Sequence, residues 1–127
     1  MISIGGSSRQ SLATLRAALD KALNGASSGD CSNLSADLFV ALGALESSAG
    51  LRRALTDPAR DAAAKAALVS DLFAKNIKGK ALEIVATAVS LRWSAPTDLA
   101  DAIEQLAVEA QAAAANSDNK LGTSGID

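Results

Sequence analysis

The sequence predicts an all-α protein, a bundle of six helices, from three observations. Hydrophobic residues make up 49% of the 127 residues but aromatic residues only 2%. The apolar content is therefore mainly alanine, leucine and valine, which suits closely spaced helices better than a β-sandwich. Apolar residues also recur at helical spacing along most of the chain. The segments between these runs are short, and short loops are typical of a helical bundle.

Runs of leucine predict the first three helices. The first covers about residues 8–24 and ends at Asn24-Gly25. The next segment, GASSGD, has the composition of a loop. A second helix is predicted over about residues 33–48, and a short third one over 51–55, because Gly50 interrupts the run. The inward-facing leucines of the first two helices are Leu12, Leu15, Leu19, Leu23, Leu34, Leu38, Leu42 and Leu45.

The fourth helix is predicted to begin at the dipeptide Asp57-Pro58. Proline disfavours helical geometry at the residue before it and fits the first turn of a helix. Asp57 is therefore the expected cap, with Pro58 in the first turn. The expected apolar edge of this helix is Leu68, Val69, Leu72 and Phe73, and its expected solvent side is Arg60, Asp61, Lys65 and Asp71.

The fifth helix, over about residues 79–92, is apolar around most of its circumference. Such a helix lies either at the centre of a bundle or between the bundle and a partner, and the pattern leaves both interpretations open. Its polar stripe is Glu83, Thr87, Ser90 and Ser94; one apolar face is Leu82, Val85, Ala86 and Val89; the other is Ala81, Ile84, Ala88 and Leu91.

The sixth helix is predicted to open at Pro96 and Asp98 and to end near residue 115, with Leu99, Ile103 and Leu106 facing inward. Trp93, just before it, is expected to seal one end of the bundle. This organisation gives a flexible lead-in over residues 1–7, one domain over 8–115, and a flexible tail or truncated linker over 116–127. The tail is predicted from its polar, Gly- and Ser-rich composition.

Composition excludes several classes of function. The chain has no histidine, so histidine-based acid–base catalysis and histidine metal sites are impossible. The single cysteine, Cys31, cannot form an internal disulfide and is expected to be a small half-buried residue. A net charge of −2 with only 12 Lys and Arg offers no sustained basic face for nucleic acid. No apolar run reaches the about 18 residues of a membrane span, and the N-terminus has no secretory signal.

The remaining polar groups do not predict an enzyme. AKNIKGK carries three lysines but lacks the spacing of a phosphate-binding loop. Most carboxylates fall at helix starts or on polar faces, where they interact favourably with the helix dipole. We therefore expect no catalytic residue, no metal and no cofactor. The candidate acid–base carboxylates are Asp57, Asp61, Asp71, Asp98, Asp101, Glu104 and Glu109.

Several short segments, in this order and spacing, resemble the N-terminal domain of the F-type ATP synthase delta subunit, the bacterial counterpart of the oligomycin-sensitivity-conferring protein. They are LRRALTDP, GKALEIVATAVSLRW and DLADAIEQLAVEA, within a match over roughly residues 8–114. Five residues fall on positions typical of the family: Arg9, Asp57, Pro58, Lys65 and Arg92. The chain departs from the family at Ser11, where a tyrosine is common, and at Leu91, where a glycine is frequent.

This resemblance implies a non-catalytic adaptor. In the family, the bundle caps the catalytic head, and its first and fifth helices receive the amphipathic N-terminal helix of an alpha subunit. A further C-terminal region engages the b subunit of the peripheral stalk, on the cytoplasmic side of the membrane and without inserting into it. The alternative is a regulatory module that self-associates through helix five, whereas the adaptor is expected to be a monomer in isolation. The expected partner-binding residues are Arg9, Leu12, Leu15, Leu82, Val85, Ala86, Val89 and Arg92.

Overall fold

The computed structural model describes the backbone of residues 6–126 and the side chains of residues 6–116. This part of the chain contains six α-helices and no strand, which confirms the predicted all-α bundle. The helices are α1 (Gly6–Leu23), α2 (Ser28–Ser47), α3 (Ala49–Thr56), α4 (Ala62–Phe73), α5 (Gly79–Ser90) and α6 (Pro96–Ile126). Most of the predicted lead-in, residues 1–5, lies outside the described residues, and α1 already includes Gly6 and Ser7.

The core forms around α6, which packs against α1, α2 and α3, most extensively against α2. Alanines on α6 allow close approach, and the Ser35 hydroxyl of α2 donates to the Ala107 carbonyl of α6 at 2.9 Å. The other strong pair is α4 with α5, and α5 also contacts α1 and α2. Fully buried leucines from several helices fill the centre: Leu15, Leu19, Leu38, Leu45, Leu55, Leu99 and Leu106.

The helix α2 begins at Ser28, earlier than the leucine pattern predicts. Ser27 is its N-cap, and the Ser27 hydroxyl accepts a hydrogen bond from the Asp30 amide at 3.0 Å. A capping serine satisfies one of the free amides of the first turn, so the helix can start within a segment of loop-like composition. The prediction of a loop over the whole of GASSGD was therefore wrong.

The segment between α3 and α4 also differs from the prediction. Asp57 is the C-cap of α3 instead of the N-cap of α4. Its carboxylate accepts from the Ala59 amide at 2.9 Å, and its carbonyl accepts from the Arg60 amide at 3.1 Å. These bonds form a turn that contains Pro58, and α4 begins only at Ala62. Asp57 uses its side chain for this turn, which competes with capping a helix.

The last two helices end at other places than predicted. The helix α5 ends at Ser90, and Trp93 then folds back so that its indole Nε1 donates to the Ala88 carbonyl at 2.8 Å. Trp93 is only 9% exposed, as expected of a residue that seals one end. The backbone of α6 stays helical to Ile126, beyond the predicted end near residue 115. Intrahelical hydrogen bonds need no buried side chain, so polar composition alone does not end a helix.

Within the described range, no single helix is long and apolar enough to cross a membrane. Only α2 and α3 taken together pass on length and composition, and these two helices meet at 106°.

Candidate protein-binding surface

The helices α1 and α5 lie side by side and run in opposite directions. The Ser11 hydroxyl of α1 donates to the Arg92 carbonyl just after α5, which ties the two at one end. Towards the other end, the second half of α1 and the first part of α5 enclose a groove of about 300 Å³. This α1/α5 groove is lined by Ala18, Lys21, Ala22, Lys80, Glu83, Ile84 and Thr87.

The structure distributes the eight predicted partner-binding residues over three environments. Leu15, Val85 and Val89 are 0% exposed and belong to the core. Leu12, Leu82 and Ala86 are half-buried and pack against that core. Arg9 and Arg92 are exposed. The eight residues therefore do not form one continuous accessible face, although five of them have atoms that a partner can reach.

Both apolar faces of α5 contribute mainly to the core. Its buried residues are Ala81, Ile84, Val85, Ala88 and Val89. The predicted polar stripe is exposed, with Glu83, Thr87 and Ser90 on the helix and Ser94 beyond its end. Of the two interpretations that the sequence left open, burial at the bundle's centre accounts for most of the apolar circumference.

Sequence reasoning missed most of the residues that line the α1/α5 groove. The predicted contact residues are mostly large and apolar, whereas the groove is built from small residues such as Ala18 and Ala22 and from charged ones such as Lys21 and Lys80. The sequence did identify the polar stripe that supplies Glu83 and Thr87, but the expected partner-binding residues did not include it. The residue pattern by itself does not show that α1 is the neighbour of α5; only the resemblance to the family implied that these two helices act together.

A second cavity, of about 600 Å³, lies where the N-terminus of α1 meets the C-terminal end of α5 and the start of α4. Lys65, which was predicted on the solvent side of its helix, is only 5% exposed here. Its Nζ donates to the Asp57 carbonyl at 3.2 Å, a main-chain partner that the residue pattern does not show. This basic cleft is lined by Ser7, Thr56, Pro58, Ala59, Arg60, Asp61, Ala62, Lys65, Ser90, Leu91, Arg92 and Trp93.

The carboxylate of Asp98 ties α6 to α1 and is 6% exposed, which corrects the expectation of a solvated helix start. The Ser8 hydroxyl donates to Asp98 Oδ2 at 2.8 Å and accepts from the Ser94 amide at 2.6 Å. One serine thus joins the first helix, the loop after α5 and the last helix. Desolvation by burial, followed by the charges of Asp98 and Glu104, raises the pKa of Asp101 above its ordinary value.

Other polar groups of the described part also hold helices together. Arg16 of α1 pairs with Glu109 of α6 at 3.0 Å, in a partly exposed position where an ion pair adds little stability.

Cys31 is 2% exposed, more deeply buried than predicted. Among residues 6–116, no three Cys, Asp or Glu side chains lie close enough together to hold a metal ion.

Fold and surface together define a helical-bundle domain in which Asp98 and Glu109 tie helices to one another and Asp57 holds a turn. The chain is 40% identical over 123 residues to ATP synthase subunit delta of Pseudarthrobacter chlorophenolicus, covering 97% of this chain and 43% of the relative. It is 46% identical over 105 residues to that of Kineococcus radiotolerans (83% and 38%), and 40% over 121 residues to that of Streptomyces coelicolor (95% and 44%). No protein-family model matches. The chain belongs to the ATP synthase delta subunit family and corresponds to its N-terminal domain.

The chain spans about two fifths of the length of these curated relatives. A delta subunit is a non-catalytic subunit of the ATP synthase complex, in agreement with the expectation that the chain is not an enzyme.

Proposed function

We propose that this domain binds the amphipathic N-terminal helix of an alpha subunit and so helps to anchor the catalytic head of F-type ATP synthase to the peripheral stalk. The observation that carries the proposal is the α1/α5 groove, found in a chain that belongs to the delta family. The function is mechanical, because the link must hold while the rotor applies torque.

The composition of the α1/α5 groove supports the docking of a helix. Ala18 and Ala22 have short side chains, so the backbone of a docked helix can approach α1 closely. Ile84 supplies apolar surface at the floor, where it is 4% exposed. Lys21, Lys80 and Glu83 line the same groove and would fix the register of an amphipathic partner through charge.

The predicted contact residues take different parts in this proposal. Arg9 and Arg92 are exposed near the tied ends of α1 and α5, and Leu12, Leu82 and Ala86 keep part of their surface accessible. Leu15, Val85 and Val89 would support the surface from within the core without touching the partner. A Val89→Asp variant would therefore test folding instead of binding, because it places a charge at a site with 0% exposure.

We also propose that the b subunit binds the region of delta subunits that lies C-terminal to the part this chain spans. The assembled position would be peripheral, on the cytoplasmic side of the membrane, as the resemblance to the family implies.

The proposal is tested by titrating the domain with the N-terminal peptide of the alpha subunit from the same source, using calorimetry and amide NMR shifts. Ala18→Arg fills the groove from a half-buried position on α1. We expect it to weaken binding at least tenfold, or about 1.4 kcal/mol. The control is Ala17→Arg, which adds the same charge at the exposed neighbouring position and should leave the affinity unchanged. A wild-type domain without saturable binding, or equal losses in both variants, would contradict the proposal.

Sedimentation of the same samples tests self-association through helix five. The exposed stripe of α5 is polar, with Glu83, Thr87 and Ser90, and such a stripe favours a monomer. A dimer that forms with increasing concentration and is unaffected by the peptide would support the regulatory module instead.

A further inference from the structure

The basic cleft gathers three cationic side chains from three parts of the chain. Arg60 follows the turn after α3, Lys65 lies on α4, and Arg92 follows α5. Among the described residues, Asp61 is the one carboxylate that lines the same cavity, and the ion pair between Arg16 and Glu109 lies elsewhere. The cleft is therefore locally positive in a chain whose formal net charge is −2.

Lys65 is the least expected member of this group. Its side chain is 5% exposed, yet within the described part of the chain its ammonium group has one hydrogen bond, to the Asp57 carbonyl at 3.2 Å. An ammonium group carries three N–H donors, and burying a charge is costly unless it is paired and hydrogen-bonded. An anionic oxygen at the cleft would supply the missing acceptors and the opposite charge.

The N-terminus of α4 also favours an anion at the cleft. Asp61 occupies the N-cap position of this 12-residue helix but makes no side-chain capping bond, and Ala62 lines the cleft. The first amides of the helix therefore have no side-chain cap, and the N-terminus of a helix favours negative charge. Backbone amides, a buried ammonium group and two guanidinium groups are the donors that bind carboxylate and phosphate oxygens.

We propose that the basic cleft is a binding site for an anionic oxygen group, either a carboxylate or a phosphate. The cleft lies where the start of α1 and the end of α5 are tied together, because Ser7 of α1 and Arg92 after α5 both line it. The α1/α5 groove lies towards the other end of these two helices, so a docked segment that continues from the groove along α1 and α5 would bring a carboxylate to the cleft. That source rests on the proposed function, whereas free phosphate has the same chemistry and does not require it.

The first experiment uses Trp93, the single tryptophan of the chain, which lines the cleft. The domain is titrated separately with inorganic phosphate and with succinate at constant ionic strength, while Trp93 fluorescence and amide shifts are followed. We expect saturable changes concentrated at cleft residues such as Ala59, Ala62 and Trp93. The absence of saturable changes with both anions would overturn the proposal.

Variants then assign the effect to the cleft. Arg60→Ala combined with Lys65→Met removes two cleft cations while keeping an apolar stem at the buried position, and should weaken anion binding at least tenfold. Arg53→Ala combined with Lys75→Met removes the same charge from exposed positions that do not line the cleft, and should have no effect. Equal losses in the two variants would overturn the proposal. Arg60→Ala alone is the variant to use if the first double variant does not fold.

A final pair of titrations separates the two sources of the anion. The alpha-subunit peptide is compared with a version in which amides replace its acidic side chains, against the wild-type domain and the Arg60→Ala/Lys65→Met variant. If the partner supplies the carboxylate, each change weakens binding and the two together cost less than their sum. If phosphate or succinate shifts the cleft amides but the effects of the peptide change and the domain change on peptide binding are additive, the cleft binds a free phosphate or carboxylate. If the peptide does not bind but phosphate or succinate still shifts the cleft amides, only the docking proposal is contradicted. If the peptide binds, but the anions cause no shifts and the two changes have additive effects, only the anion-site proposal is overturned.

Discussion

Asp98 and Asp101 lie one turn apart at the start of α6, and their surroundings differ. Asp98 is buried but accepts a hydrogen bond from Ser8, which compensates for part of its desolvation. Asp101 is half-buried and close to the negative charges of Asp98 and Glu104, and no described residue donates such a hydrogen bond to it. The environment of Asp101 therefore destabilises the folded state at neutral pH, whereas Asp98 ties α6 to α1.

Asp101→Asn should raise the free energy of unfolding at pH 7. Because burial and the two neighbouring carboxylates raise its pKa, the folded state holds the Asp101 proton more tightly than the unfolded state does. Stability from this group is therefore gained as the pH falls through the folded-state pKa, and lost as the pH rises from the ordinary aspartate pKa to that raised value. Urea unfolding at a series of pH values measures how the free energy of unfolding depends on pH. The variant should lack the part of this dependence that comes from Asp101.

The control for this prediction is Asp71→Asn, which removes a carboxylate at an exposed position on α4. If both variants change the pH dependence of stability equally, the effect does not come from the environment of Asp101.

At the scale of single helices, the caps decide where the elements begin. Ser27 and Ser48 each accept a main-chain hydrogen bond three residues on, at 3.0 and 3.1 Å, and so start α2 and α3. Asp57 makes a similar local bond, but with the turn between α3 and α4. The sequence shows that these residues are able to cap; which amide each one binds depends on the path of the neighbouring helices.

Ser27→Ala should lower the free energy of unfolding by about 1 kcal/mol, because the Asp30 amide loses its acceptor at the start of α2. Ser47→Ala is the matched control at the other end of the same helix, where the hydroxyl is exposed and donates to the Ala44 carbonyl. Denaturant unfolding of both variants measures the difference. A loss of equal size in the control would show that Ser27 does not act as a cap.

The leucine periodicity predicted the number, the order and most of the inward faces of the helices, because each helix must bury one apolar stripe. The same reasoning failed at Lys65, whose charge indicates solvent but whose partner is the main-chain carbonyl of Asp57. It also could not define the α1/α5 groove, since a groove depends on which two helices are neighbours. The apolar circumference of α5 was visible in the sequence, whereas the helices that cover it were not.

For the whole molecule, stability depends on the contact between α2 and α6, the most extensive in the bundle. Leu38 of α2 is 0% exposed, while its neighbour Phe39 is 38% exposed on the outer side of the helix. These adjacent positions separate the contribution of the core from that of apolar surface in general.

Leu38→Ala should lower the free energy of unfolding by about 2–5 kcal/mol, through lost burial and the cavity left behind. Phe39→Ala removes a larger side chain but should cost on the order of 0.5 kcal/mol, as is usual for exposed positions. Thermal and urea unfolding of the two variants provide the comparison. A greater loss for Phe39→Ala would mean that its exposed ring is covered in solution.

The position of α6 at the centre of the bundle also affects how the chain folds during translation. The Ser35–Ala107 and Ser8–Asp98 contacts close loops of 72 and 90 residues, and α6 packs against each of the first three helices. When synthesis has reached only α5, the first three helices have already left the ribosome. They still lack α6, the helix against which all three pack. Their leucine faces stay open to chaperones until the ribosome has released α6, so the bundle completes late and cooperatively.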